Sequence, residues 1–212
     1  MRTRPFWTPV IGSLLIVILG PLPAWSDNSS AAGVVEGFQA SLVDVMKRAK
    51  KLGVKGRYDV LGPVIEQSFH QPLMIATASA PYWRAGTSEQ RAGLLKAFRR
   101  MSASTLATLF DDYNGEIFRV ERVRKTPGRV VIVDTQIIRT ADDPVDISYV
   151  AVELNNRWWI IDIIVSGGIS EVKSRLGEYG AFLREGGLDS LTAALNRRAD
   201  RLLSGQESPL PQ

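Results

Sequence analysis

The sequence predicts an α+β fold: a curved antiparallel sheet of four or more strands, with helices packed on one side and a helical subdomain. Three observations carry this. Apolar residues recur at helical spacing up to Gly115 and at period 2 after it. Four period-2 segments then follow one another, separated by short turn signals, which implies an antiparallel meander. The last of them, within Trp158 to Ser170 (WWIIDIIVSGGIS), is too apolar for a strand with one wet face. It reads as a strand covered on both sides, or as one whose second face lines an apolar cavity.

Not all of the 212 residues belong to that fold. Arg2 and Arg4, the apolar run Val10 to Leu19, and the small residues Ala24 and Ser26 have the three-part pattern of a secretory signal, with cleavage expected after Ser26. The run is short for a membrane span of about 20 residues. Removing Arg2 and Arg4 from 26 basic residues against 22 acids leaves a chain near +2. No basic stripe with interleaved aromatics points to nucleic acid. The chain has no cysteine, which excludes disulfides, thiolate metal sites and a lipid-modified amino terminus.

Residues 27–32 read as a polar tether, and 27–203 as one folded unit. Val34, Phe38, Leu42, Val45 and Ala49 mark a first helix over 33–52, stopped at Gly53. A loop is expected over 54–57. A helix over 58–69 follows, with Pro63 in its first turn or at a break, then a short one over 71–78 with Pro72 at its start. Thr87 and Gln90 form a capping box for a helix over 87–101. Its pattern resumes at Ser104 and ends at Asn114-Gly115. Strands are expected over 117–124, 129–139, 145–154 and 157–166. The turns between them are Pro127-Gly128, Asp142-Asp143-Pro144 and Asn155-Asn156. Helices over 170–182 and 188–203 close the fold, and the proline-bearing tail 204–212 reads as disordered.

A bent sheet crossed by helices resembles a cone with an interior, a common setting for an apolar pocket. By period-2 parity, Val131, Val133, Ile137, Tyr149, Trp159, Ile161 and Ile163 face inward, joined by Met74, Phe98, Leu106 and Phe110 from the helices. One slip in parity would invert the strand assignments.

Acid–base chemistry has few candidates. His70, the only histidine, sits at a helix boundary and reads as a surface or cap residue; the scarcity argues against a histidine metal site or a catalytic triad. Asp111, Asp112 and Glu116 cluster where helix gives way to strand, as paired carboxylates or as a solvated helix end. Asp162, among four isoleucines, would be costly to bury unpaired. It is either a structural carboxylate or the general base of a small cone-shaped isomerase or hydratase, with Tyr113 or Tyr149 as polar partner. Gly167-Gly168 lacks phosphate-loop spacing and reads as a bend. Trp83, Trp158 and Trp159 read first as core residues, though their density beside aliphatic strands is also what a lipid cavity would show.

Several stretches, taken in order, resemble the MlaC, or toluene-tolerance, family. Tyr82-Trp83-Arg84, Thr87, Glu89-Gln90-Arg91 and Ala97-Phe98-Arg99 resemble one segment of it. Tyr149, Trp159, Asp162 and Gly168-Ile169-Ser170 resemble a second, and Gly186-Gly187-Leu188 with Leu191 and Leu195 a third. The form of Ser166 to Ser170, and Leu52 to Tyr58, look more like the hopanoid-associated HpnM branch. The resemblance implies an NTF2-like sheet with a helical subdomain, no catalytic residues, no cofactor and no metal. It implies a periplasmic carrier that holds a phospholipid or hopanoid in an apolar pocket. Its implied partners are an inner-membrane MCE-domain, ABC-type or RND-type transporter and an outer-membrane acceptor. Burying several hundred Å² of lipid would contribute on the order of 10 kcal/mol, offset by the bilayer the lipid leaves.

Overall fold

The computed structural model describes residues 30–139, 143–165 and 168–208; the expected signal segment lies outside them. The elements run α1 (Ala31–Lys47), α2 (Ala49–Ser68), α3 (Gln71–Ala78), α4 (Tyr82–Ala85), α5 (Ser88–Leu109), β1 (Ile117–Lys125), β2 (Val130–Ile138), β3 (Val145–Leu154), β4 (Arg157–Val165), β5 (Ile169–Ser170) and α6 (Glu171–Leu203).

The sheet is the expected antiparallel meander, ordered β1-β2-β3-β4 with the two-residue β5 on the β4 edge. Asn155 and Asn156 join β3 to β4 with φ of 53° and 59°, the left-handed pair that a two-residue turn between twisted strands needs. The register shifts between Val120 and Arg122 on β1, where Glu121 is the extra residue. It shifts again between Val150 and Ala151 on β3, where β4 holds the extra residue, Ile161. Such bulges bend a strand and re-aim its side chains.

The helices depart from expectation mostly at their ends. Gly53 does break the helical path, with φ 62° and ψ 176°, values that favour glycine. Yet no loop follows, because residues 54–68 are helical and carry Pro63 in their interior. The helix α5 is continuous where two pieces were expected, and it stops at Leu109 rather than at Gly115. Its capping box is present: Gln90 N–H donates to Thr87 Oγ1 at 3.2 Å, and Thr87 N–H to Gln90 Oε1 at 3.0 Å. The two closing helices form α6, bent at Gly186 (φ −155°) and Gly187 (φ 64°). Residues 204–207, assigned to the tail by the sequence reading, lie among the described residues. Glu207 pairs with Arg198 at 3.1 Å and with Arg201 at 2.7 Å, which holds 204–207 against the end of α6.

Two apolar clusters form the interior. In the first, α1 lies on one face of the sheet: Val34, Val35, Phe38, Leu42 and Val45 pack with Val133, Tyr149, Ala151 and Ile160, and with Leu61 and Ile65 of α2. In the second, Ile75 and Ala78 of α3, Leu94, Ala97, Phe98 and Met101 of α5, and Leu183, Leu188, Leu191 and Leu195 of α6 form the helical subdomain. The helix α5 serves both, because Ala103 and Ala107 belong to the first cluster. Arg57, placed in a loop by the sequence reading, is buried. It donates to the Ala107 carbonyl at 2.6 Å and to the Ala49 carbonyl at 2.9 Å. The Ala107 carbonyl is among the last four of α5, which lack an in-helix donor, and Ala49 opens α2, so one side chain ties the start of α2 to the last turn of α5.

Candidate functional site

The inner face of the sheet, the one α1 covers, is set by register. Val131 pairs with Ala151, and Val133 with Tyr149. Tyr149 pairs with Ile163, and Ala151 with Ile160 across the bulge. Val131, Val133, Tyr149 and Ile163 therefore point inward as expected, and Ile137 lies on the same face opposite Phe118. The bulge corrects the rest of β4. Trp158 and Ile160 turn inward, Ile161 is the extra residue, and Trp159 faces away. There Trp159 meets the His70 ring edge-on at 5.5 Å and lies under the Arg157 guanidinium at 4.1 Å. Of the helical candidates, Leu106 and Phe110 pack on the first cluster and Phe98 lies in the second. Met74 touches both.

This interior is apolar but not wholly. Gln39 of α1 donates to Thr135 Oγ1 at 3.1 Å, and Thr135 donates to the Ile147 carbonyl at 3.0 Å. Burial pushes the Tyr149 phenol up to about 12, against the opposing effect of the Gln39 amide. Phe38 packs edge-on against Phe69 at 4.8 Å and against Tyr149 at 6.2 Å.

Two clefts open onto this layer. One, of about 490 Å³, lies between the β1–β2 turn and the β3–β4 turn, with Val131 and Trp158 as its floor and Lys125, Arg129 and Glu153 at its rim. The other, of about 540 Å³, lies between α1 and β1, with Phe118 and Val120 inside and Glu36, Asp44, Lys47 and Glu116 around it. All four floor residues pack against the first cluster. The sequence reading did not single out Lys125, Arg129 or Glu153. The signal was present, since a meander puts its first and third turns at the same end of the sheet.

The acid–base candidates are dispersed. Asp162 faces outward, opposite Val150. It accepts from Ser170 Oγ at 2.5 Å and from the amides of Ile163 at 2.8 Å and Val172 at 3.0 Å. It anchors the start of α6 there, together with the Ser170 cap on Lys173 N–H at 3.1 Å. Tyr149 is on the other face, and Tyr113 lies beneath Lys47 at 5.3 Å, so the fold does not bring Asp162 together with either tyrosine. His70 is a cap: its Nδ1 accepts from Leu73 N–H at 3.1 Å. Asp112 accepts from Tyr113 N–H at 2.9 Å, a bond that, ahead of Lys50 nearby, lowers its carboxyl below the ordinary range. Glu116 accepts from Asn114 N–H at 2.7 Å. Both carboxylates thus shape the loop after α5. Among the described residues no group of three His, Asp or Glu is placed to hold a metal, and no helix is long and apolar enough to cross a membrane.

A sequence model described as MlaC protein matches residues 37–197. The chain belongs to the MlaC family. The match spans α1 from Gly37 onward, the whole sheet and most of α6, so most of the inner layer, the turn cleft and all of the α1–β1 cleft but Glu36 lie within it. The fold is also that of a phospholipid-binding protein from Ralstonia solanacearum, solved in complex with a phospholipid. The TM-score is 0.73 at 17% identity, over 82% of this chain and 98% of that one. At that identity the likeness speaks for the MlaC architecture alone.

Proposed function

We propose that this protein is a periplasmic carrier that holds a phospholipid, with the acyl chains between α1 and the inner face of the sheet. The observation that carries the reading is the joining of MlaC-family sequence to an apolar layer that two clefts reach from outside. Export in the same family fits the signal pattern of residues 1–26. The candidate lining is Val131, Val133, Ile137, Tyr149 and Ile163 on the sheet, with Leu106, Phe110 and Met74 at the helical side. For chains to lie there, α1 must yield some of its contacts, and the lipid replaces the apolar area that α1 gives up. The carrier exchanges its cargo with an inner-membrane transporter and an outer-membrane acceptor. Their complexes, rather than any energy source in this chain, set the direction.

The test is mass spectrometry of organic extracts from protein purified without detergent. One phospholipid per chain is expected. A hopanoid in its place would move the cargo to the other class the sequence resemblance implies. Lipid-free protein that also takes up nothing from vesicles would overturn the carrier.

A further inference from the structure

We propose that the cleft between the β1–β2 and β3–β4 turns is a headgroup site, selective for a phosphate ester that also carries an amine. The inference rests on the carrier reading and specifies its polar end. The register puts Lys125 opposite Val131 and Glu153 opposite Trp158, all on the inner face at one end of the sheet. A charged rim and an apolar floor that joins the first cluster therefore share one opening, the arrangement an amphiphile requires.

Charge decides which cleft takes the head. Around the α1–β1 cleft Glu36, Asp44 and Glu116 outnumber Lys47, and Lys47 already lies over the Tyr113 ring. Even with Asp44 paired to Arg48, that rim stays acidic and disfavours a phosphate. The turn cleft has two cations against one acid. Neighbouring cations on β1 are committed: Arg119 to Glu121, and Arg122 and Arg124 to Asp134. Lys125 and Arg129 form no ion pair among the described residues and are exposed, so both are free to meet phosphate oxygens. Glu153 and the Trp158 ring supply what an ammonium binds, a carboxylate and an aromatic face.

The test uses the full chain, loaded from vesicles of phosphatidylethanolamine, phosphatidylglycerol or diacylglycerol, with retained lipid counted by mass spectrometry. Soluble glycerophosphoethanolamine is titrated in parallel. In the Lys125→Ser, Arg129→Ser double variant both phospholipids are retained about tenfold less, and diacylglycerol is unchanged. Glu153→Gln weakens phosphatidylethanolamine alone. Equal retention of phospholipid by wild type and double variant overturns the headgroup site and leaves the carrier standing. If wild type retains no lipid but binds glycerophosphoethanolamine, and the double variant does not, the carrier fails while the site stands for a soluble phosphate ester. Binding of neither ligand overturns both. The substituted side chains are exposed and unpaired, so circular dichroism should show all variants folded.

Discussion

Two aspartates on the outward face of the sheet have opposite relations to charge. Asp162 is held by two amides and a hydroxyl, with no cation among those contacts. Asp134 accepts from Arg122 at 2.7 Å, from Arg124 at 2.6 Å and from Ser148 at 2.6 Å. The Arg124 guanidinium foremost, then Ser148 and Arg122, hold the Asp134 carboxyl well below the usual range, against a contrary push from burial. A carboxyl depressed in the folded state contributes stability above its unfolded value of about 3.9. That contribution is lost as pH falls through this region toward the folded value. Asp134→Asn should therefore lower the urea midpoint at pH 7, with the gap to wild type closing as pH drops below about 4. A gap that stayed constant with pH would assign the loss to packing. The two residues also differ in legibility. Asp162 stood out among isoleucines, but its partners lie beyond a turn, at Ser170 and Val172. Asp134 sits in an ordinary alternating strand, and its cations were visible only as the polar face of β1.

At the scale of elements, glycines mark where helices bend, and their effects should have opposite signs. Gly187 has φ 64° and ψ −148° at the bend of α6, a conformation essentially restricted to glycine. Gly187→Ala should destabilise by about 1–3 kcal/mol. Gly93 lies inside α5, and a Cβ there meets nothing within 4 Å. Gly93→Ala should stabilise by about 0.5–1 kcal/mol. Thermal unfolding of the two variants checks both signs at once. Element type was largely readable because period and caps are local: the Thr87–Gln90 box, the Asn155-Asn156 turn and all four long strands were found. The bulge at Ile161 was not, because neighbouring isoleucines give no glycine or change of period to announce it. That one extra residue reversed the facing of Trp158, Trp159 and Ile160. Helix ends failed where tertiary contacts prevail, as at residues 54–57, where buried Arg57 bonds the Ala107 and Ala49 carbonyls.

At the scale of the molecule, α5 joins the two clusters, supplying Leu94 to Met101 to one and Ala103 and Ala107 to the other. Neither can lose it alone, so tryptophan fluorescence and far-ultraviolet circular dichroism should report a single, coincident urea transition. Separate midpoints would mean that sheet and subdomain melt independently. The same wholeness does not extend to the rim of the sheet. Among the described residues no strand pairs with the outer edge of β1, where Ile117 is 58% and Val123 49% exposed. An edge of this kind invites another chain to continue the ladder. The extra residue at Glu121 breaks the regular spacing of its free amides, and Arg119, Arg122, Arg124 and Lys125 crowd cations along it. An incoming copy would bring the same cations into register. Substitutions that neutralise this strand would remove the charge barrier to self-templated fibrils. The strand is therefore constrained by solubility as well as by packing.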